Sequence, residues 1–415
     1  MHCLNNVRTA QKPLPTGSRW RLLPTGWRCK SAVTLLALFS LAGCVSYPSF
    51  PEVSKYKPEL ISGILAFGEV IEPAPAAELL TMSADMHKFI ELAGIYDTNI
   101  KGTRFRRLMA GLIKGGYFSN HYLQDGTYSA AQTFASAQGN CLGYTNMFVA
   151  LARQAGLNAR YQLIEDQPRW DIDGGHLVRN NHVNVIIDNV GQPGRPESEV
   201  VVDFNLVRAD SEFAQPTIVT DTFAEALYYI NLAVDALSQE KYREAFAQFK
   251  RAEITDPGNK FVWNNLGVFY SRLGKRDVAQ RAYEVALSID SKDKSALAGM
   301  AVTLQVQGLY EQAAVYEKRV ARYQHKNPYF HYAIASQAFA AEKFDEALSA
   351  VETAIDLRGN DARFFALRAA TAEELGMERL MRRSKSLADK YAHLKKEENL
   401  RPKAAWYSRE EVNGT

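Results

Sequence analysis

The 415-residue chain holds only four cysteines, Cys3, Cys29, Cys44 and Cys141, and three of them fall within the first 44 residues. No two stand at the short spacing of a zinc or iron–sulfur ligand set, so nothing in the sequence calls for a metal or other cofactor. Acidic residues are missing from residues 1–43, which carry six basic ones: Arg8, Lys12, Arg19, Arg21, Arg28 and Lys30. Beyond Ser31 to Leu41 there is no long apolar run, and that run itself is shorter than the roughly 20 residues a bilayer-crossing helix needs. A strong basic excess is lacking too. The formal net charge is +3, and it becomes −3 if residues 1–43 are removed, which gives no footing for a nucleic-acid partner.

The basic leader followed by an apolar stretch is the pattern of an export signal, and residues 1–43 are expected to be cleaved. The junction Leu41-Ala42-Gly43-Cys44 resembles a bacterial lipobox. That resemblance implies that Cys44 becomes a lipid-bearing N-terminus. Val45, in place of an acidic retention residue, then points to the periplasmic side of the outer membrane. Pro48, Pro51 and Pro58 mark residues 44–73 as an expected tether.

The second half repeats itself. Ala245, Ala279, Ala313 and Ala347 recur every 34 residues, with aromatics at Tyr242, Tyr310, Phe344, Phe249 and Tyr283 in fixed register. A period of this length denotes a two-helix repeat, whose small residues let helices approach and whose aromatics fill the gaps between them. The copy around Trp263-Asn264-Asn265-Leu266-Gly267 is similar to the tetratricopeptide pattern. Four copies are expected over residues 226–361, then a degenerate pair with a capping helix over 362–400 and a tail at 401–415. The all-α solenoid so formed implies a concave face for a protein or peptide partner. The basic stretch Arg379, Arg382, Arg383, Lys385, Lys390, Lys395 and Lys396 reads as a solvated helix face in preference to a site for an anionic polymer.

Chemistry concentrates between Thr127 and Asn205. Leu142, Met147, Phe148, Leu151, Ala152 and Ala155 share one helical stripe, and Gly156 is placed to end the helix, so Cys141 stands at a helix N-terminus. The positive end of the helix dipole lowers a thiol pKa there. With Cys3 and Cys29 removed and Cys44 acylated, Cys141 is expected to have no intramolecular partner, and is then either buried and inert or a nucleophile. Val183, Val185 and Ile187 alternate with His182, Asn184 and Ile186 as a strand, and a second strand over Glu199 to Asn205 carries Asp203 among valines. A carboxylate so placed needs a partner, and an imidazole suits it.

Gly139-Asn140-Cys141, the helix end Leu151 to Arg160, Asn181-His182-Val183-Asn184-Val185 and Val201-Val202-Asp203 together resemble the transglutaminase-like branch of the papain-type thiol enzymes. The resemblance implies an α+β domain, expected over residues 74–215, in which a cysteine-bearing helix packs on an antiparallel sheet. It implies Cys141 as nucleophile, His182 as general base and acid, and Asp203 as orienter. Two features depart from the pattern: Val183 follows His182 where animal-type members commonly have tryptophan, and no tryptophan lies between Cys44 and Cys141 to hold the oxyanion. Ala135 also stands where a papain-like enzyme would place glutamine. The Cys141 backbone N–H is the first oxyanion candidate, with Gln138, Gln132 and Tyr128 as side-chain candidates.

Asp171, Asp173 and His176 fall in the loop between helix and histidine strand, where local hydrogen bonding is a simpler account than a calcium or substrate site. The expected activity is attack on amide or isopeptide bonds of exported proteins or peptidoglycan-linked peptides through a thioester, resolved by water or a second amine. The alternative is a lipid-anchored adaptor whose repeats bind partners and whose thiol domain is silent.

Overall fold

The computed structural model describes residues 53–118, 123, 126–165, 181–188, 190, 199–204, 215–400 and 406–408. Two short helices, α1 (Lys57–Leu60) and α2 (Ile64–Phe67), open the chain, followed by α3 (Ala84–Leu92) and α4 (Lys101–Lys114). In α4 the residues Phe105, Leu108, Met109 and Leu112 fall on one face and are buried, as helical spacing requires. Helix α5 (Ala130–Ser136) starts in a capping box between Ser129 and Gln132. Helix α6 (Cys141–Gln154) is capped by Asn140 and ends before Gly156, whose φ of 74° turns the chain in a conformation that favours glycine.

Strands β1 (Asn158–Glu165), β2 (Asn181–Asp188), β3 (Val200–Val202) and β4 (Gln215–Val219) pair antiparallel in the order β4-β1-β2-β3. Tyr161, Leu163, Val183, Val185, Val200 and Val202 share one core with the apolar residues of α6. Thr145 Oγ1 of α6 donates to the Val183 carbonyl at 3.2 Å, and Tyr161 donates its hydroxyl to Asn146 Oδ1 at 2.8 Å. These contacts pin the cysteine helix across β1 and β2. A small antiparallel sheet with a packed helix is the α+β fold expected for the thiol domain.

The helix pairs follow: α7 (Asp221–Ser238) with α8 (Tyr242–Thr255), α9 (Lys260–Arg272) with α10 (Arg276–Ile289), α11 (Lys294–Val306) with α12 (Tyr310–Gln324), α13 (Pro328–Ala340) with α14 (Phe344–Leu357), and α15 (Ala362–Glu374) with α16 (Glu378–Leu400). This is the expected solenoid, with its first helix beginning at Asp221, ahead of the expected start at Ala226. The recurring Ala245, Ala279, Ala313 and Ala347 are all buried. Asn259, Asp293, Asn327 and Asp361 also stand 34 residues apart, and each caps the next first helix through a side-chain oxygen that accepts a backbone N–H.

Two segments differ from the sequence reading. From Val53 onward, the expected tether is packed on the repeats: Tyr56 donates to Glu284 at 2.7 Å, Tyr270 donates to the Leu60 carbonyl at 2.6 Å, and Lys250 Nζ donates to Ile71 O at 2.6 Å. The physical cause is apolar content. Val53, Leu60 and Ile61 are buried, and Phe67 packs edge-on against Phe246 and Phe269, which outweighs the prolines of the segment. The expected tail likewise contributes a strand, β5 (Trp406–Ser408), which extends the sheet beside β3.

Candidate thiol site

Cys141 is the first residue of α6. The Asn140 side chain fixes that start, since Oδ1 accepts from Gly143 N–H at 3.0 Å and Nδ2 donates to Thr127 Oγ1 at 2.8 Å. Gly143 is needed for close approach of α5: a Cβ there would lie 2.9 Å from Thr133 Oγ1. Cys141 itself is 1% exposed, and its sulfur is held in a disulfide whose other half lies outside the described residues. The disulfide belongs to the full chain, whereas the expectation that Cys141 lacks an intramolecular partner concerned the processed one. That expectation counted cysteines after loss of residues 1–43 and acylation of Cys44, whereas the full chain retains Cys3, Cys29 and Cys44.

His182 and Asp203 meet as expected of their residue types. The β2–β3 register pairs Val185 with Val202, so one further step sets Asp203 opposite Asn184, on the face that also carries His182 two residues earlier. There His182 Nε2 lies 2.7 Å from Asp203 Oδ2, with the two side chains only 10% and 4% exposed. An ionised carboxylate can only accept, so Nε2–H is the donor of this bond. Nδ1 is buried with no hydrogen-bond partner. The structure therefore joins imidazole to carboxylate.

Two residues that the sequence reading passed over complete the setting. Asn184, fully buried, donates Nδ2 to the same Asp203 oxygen at 3.4 Å. Phe204 stacks on Phe118 and Tyr144, with centroids 4.9 and 5.6 Å away, and tilts against Phe148, which anchors the chain directly after Asp203. Their signals were the i+2 position from the histidine and the aromatic residue following the aspartate. Tyr144 donates its hydroxyl to Ala137 O at 2.6 Å, and burial pushes its pKa up to about 12, which keeps it a neutral packing residue.

Of the oxyanion candidates, Gln132 is exposed and its Oε1 accepts from Ser129 N–H at 2.9 Å within the capping box. Tyr128 is half-buried and Gln138 exposed. Tyr128, Gln132, Ala135 and Ser136 line a shallow open pocket of about 360 Å³. Asp171, Asp173 and His176 lie outside the described residues. Among the described residues no group of three or more His, Cys, Asp or Glu side chains could hold a metal ion.

A cysteine-headed helix on an antiparallel sheet that carries a His–Asp pair defines a papain-type thiol domain, here coupled to a helical-repeat solenoid. Residues 95–185 match the family described as the transglutaminase-like superfamily, so the chain contains a transglutaminase-like domain; the match includes Cys141 and His182 and ends before Asp203. Among solved structures, the chain is similar to a crystal structure of MamA protein at 15% identity, covering 41% of this chain and 94% of that one, with a TM-score of 0.26. A MamA structure from Desulfovibrio magneticus RS-1 gives 15% identity, 43% and 97% coverage, and a TM-score of 0.25. The structure titled for pilF of Pseudomonas aeruginosa gives 18% identity, 40% and 76% coverage, and a TM-score of 0.28. A search of curated proteins found no match.

Proposed function

We propose that the protein is a thiol acyltransferase or hydrolase acting on amide or isopeptide bonds of proteins or peptides, with Cys141, His182 and Asp203 as its triad. The observation that carries this reading is the buried 2.7 Å His182–Asp203 pair, which leaves Nδ1 unpartnered on a domain whose cysteine heads the packed helix. With Cys141 in its thiol form, His182 Nδ1 takes the thiol proton and the sulfur attacks the carbonyl carbon. The tetrahedral oxyanion is held at the start of α6, where backbone N–H groups point outward. Collapse breaks the C–N bond, the Nδ1 proton goes to the leaving amine, and a thioester remains. Water or a second amine then attacks the thioester, with Nδ1 accepting its proton and returning it to the sulfur.

The supporting reading of location is a protein lipidated at Cys44 on the periplasmic side of the outer membrane, with exported proteins or peptidoglycan-linked peptides as substrates and the concave face of the repeats as their holder. The second reading is a non-catalytic lipoprotein adaptor whose repeats bind partner proteins; the burial of Cys141 favours it.

Alkylation separates the two. Under reducing conditions near pH 7, an enzyme's Cys141 reacts faster with iodoacetamide than free cysteine does. His182→Ala should abolish that excess, and Asp203→Asn should weaken it, since positioned acid–base groups are worth roughly 10²–10⁴ in rate. A Cys141 that reacts no faster than free cysteine, with both variants matching wild type, leaves the adaptor.

A further inference from the structure

Strand β3 is only Val200–Val202, and it is buried on both faces. An edge of this kind presents backbone N–H and C=O groups in a desolvated setting, where leaving them unpaired is costly. In this protein β5 covers the edge, antiparallel, with Val200 opposite Ser408, Val201 opposite Tyr407 and Val202 opposite Trp406. All ten helices from α7 to α16 lie between the two strands in sequence. The cover is three residues long, and it ends the sheet, which runs β4-β1-β2-β3-β5.

The residue that follows β3 is Asp203, whose carboxylate holds His182. Any strand seated on the outer edge of β3 in this register therefore runs on past the His–Asp pair. Neighbouring strands lie about 4.8 Å apart, so its backbone passes within reach of the site. We infer that the outer edge of β3 is the docking strand for an extended polypeptide substrate and that residues 406–408 occupy it as an internal competitor. The inference rests on the acyl-transfer reading above and narrows the substrate to an unfolded stretch of protein or peptide, recognised through main-chain hydrogen bonds. A free amino acid cannot supply such a ladder.

The test is binding, measured on the full chain carrying Cys141→Ala so that no turnover enters. The probe is a fluorescein-labelled peptide with the sequence of residues 401–415. Deletion of residues 401–415 and, separately, the double change Trp406→Pro with Tyr407→Pro, which removes a ladder donor whichever of the two N–H groups faces β3 and keeps the chain length, should each strengthen binding by roughly tenfold over the undeleted protein. N-methylation of alternate backbone nitrogens in the peptide should abolish that gain. Equal binding by all three proteins, or equal binding of the methylated peptide, overturns the inference. So does loss of the folded state in both variants, which would make β5 a structural part of the sheet. Gain of peptide binding together with an unreactive Cys141 would leave the docking edge standing and remove the chemistry, so the two failures are distinguishable.

Discussion

The joint between the second and third repeats and the joint between the third and fourth are built from the same 34-residue register, yet they pack in opposite ways. At the first, Tyr283 is buried in a notch between two glycines: a Cβ on Gly267 or Gly299 would lie 2.4 Å from its ring. One register further on, Glu317 replaces the tyrosine and Ala301 and Ala333 replace the glycines. Glu317 is exposed and pairs with Gln305. The consequence is visible in the core, which runs unbroken from Val53 to Val320 and resumes as a separate cluster of Tyr329, Ala335, Val351, Ala354 and Phe364. A solenoid is held together by nearest-neighbour interfaces, so one polar residue at a joint divides it. The transglutaminase-like domain, residues 53–80 and the first three repeats form one packed body, and the last two repeats form another.

The sharpest way to break this contrast is Tyr283→Ala. Emptying an aromatic site in a closed notch costs about 3–5 kcal/mol, and here the loss should release the third repeat from the second. Chemical denaturation should show the single transition of the first body splitting in two; an unsplit transition with a small shift would mean that the notch is not the joint. Lys260→Met comes next. Its ammonium, 13% exposed, bridges Glu165 at the end of β1 to Asp290 and Asp293 before α11. Removing it takes away the cation these partly buried carboxylates share, at a cost of about 1–2 kcal/mol, between the exposed and buried limits. Burial lowers the Lys260 pKa, but the hydrogen bonds it donates to Asp290 and Glu165 outweigh that and raise the value above 10.5. A raised lysine contributes its full stabilisation below its unfolded pKa and loses it as pH climbs through the folded one. The Lys260→Met penalty should therefore be constant at neutral pH and shrink only above about pH 10.5. A penalty that fades near pH 7 would rule out the ion pair as its source.

The contrast between the joints also shows what a sequence discloses. The 34-residue period and its buried alanines are local, and so were the helix stripe behind Cys141 and the alternation around His182, because each follows from the repeat of a helix or strand. The His182–Asp203 pair was legible for the same reason: an aspartate among valines demands a partner, and the adjacent strand supplied His182. The packing of residues 53–73, the pairing of Trp406–Ser408 with β3 and the disulfide at Cys141 depend on partners far away in the chain, which composition and period cannot rank. The caps Asn259, Asp293, Asn327 and Asp361 were there to be read, since they keep the period and stand directly before each first helix. Glu317 was legible as well, as a break in the series Phe249, Tyr283, Val351.

Repairing the weak joint is the subtlest test, because the notch there is already partly filled. Tyrosine at 317 would meet the Cβ atoms of Ala301 and Ala333 where Tyr283 meets bare glycines, so a lone Glu317→Tyr should strain the joint and not close it. The fitting change is Glu317→Val, after Val351, which is fully buried at the same register in the fourth repeat. It should add about 0.5–1 kcal/mol of apolar burial if the fourth repeat can close onto the third. The readout is cooperativity: hydrogen exchange in α13 and α14 should slow toward the rates of α9 and α10, with little change in the melting of the first body. Unchanged exchange in α13 and α14 would show that the division lies in the backbone path through His325, Lys326 and Asn327, and that the side chain at 317 only marks it.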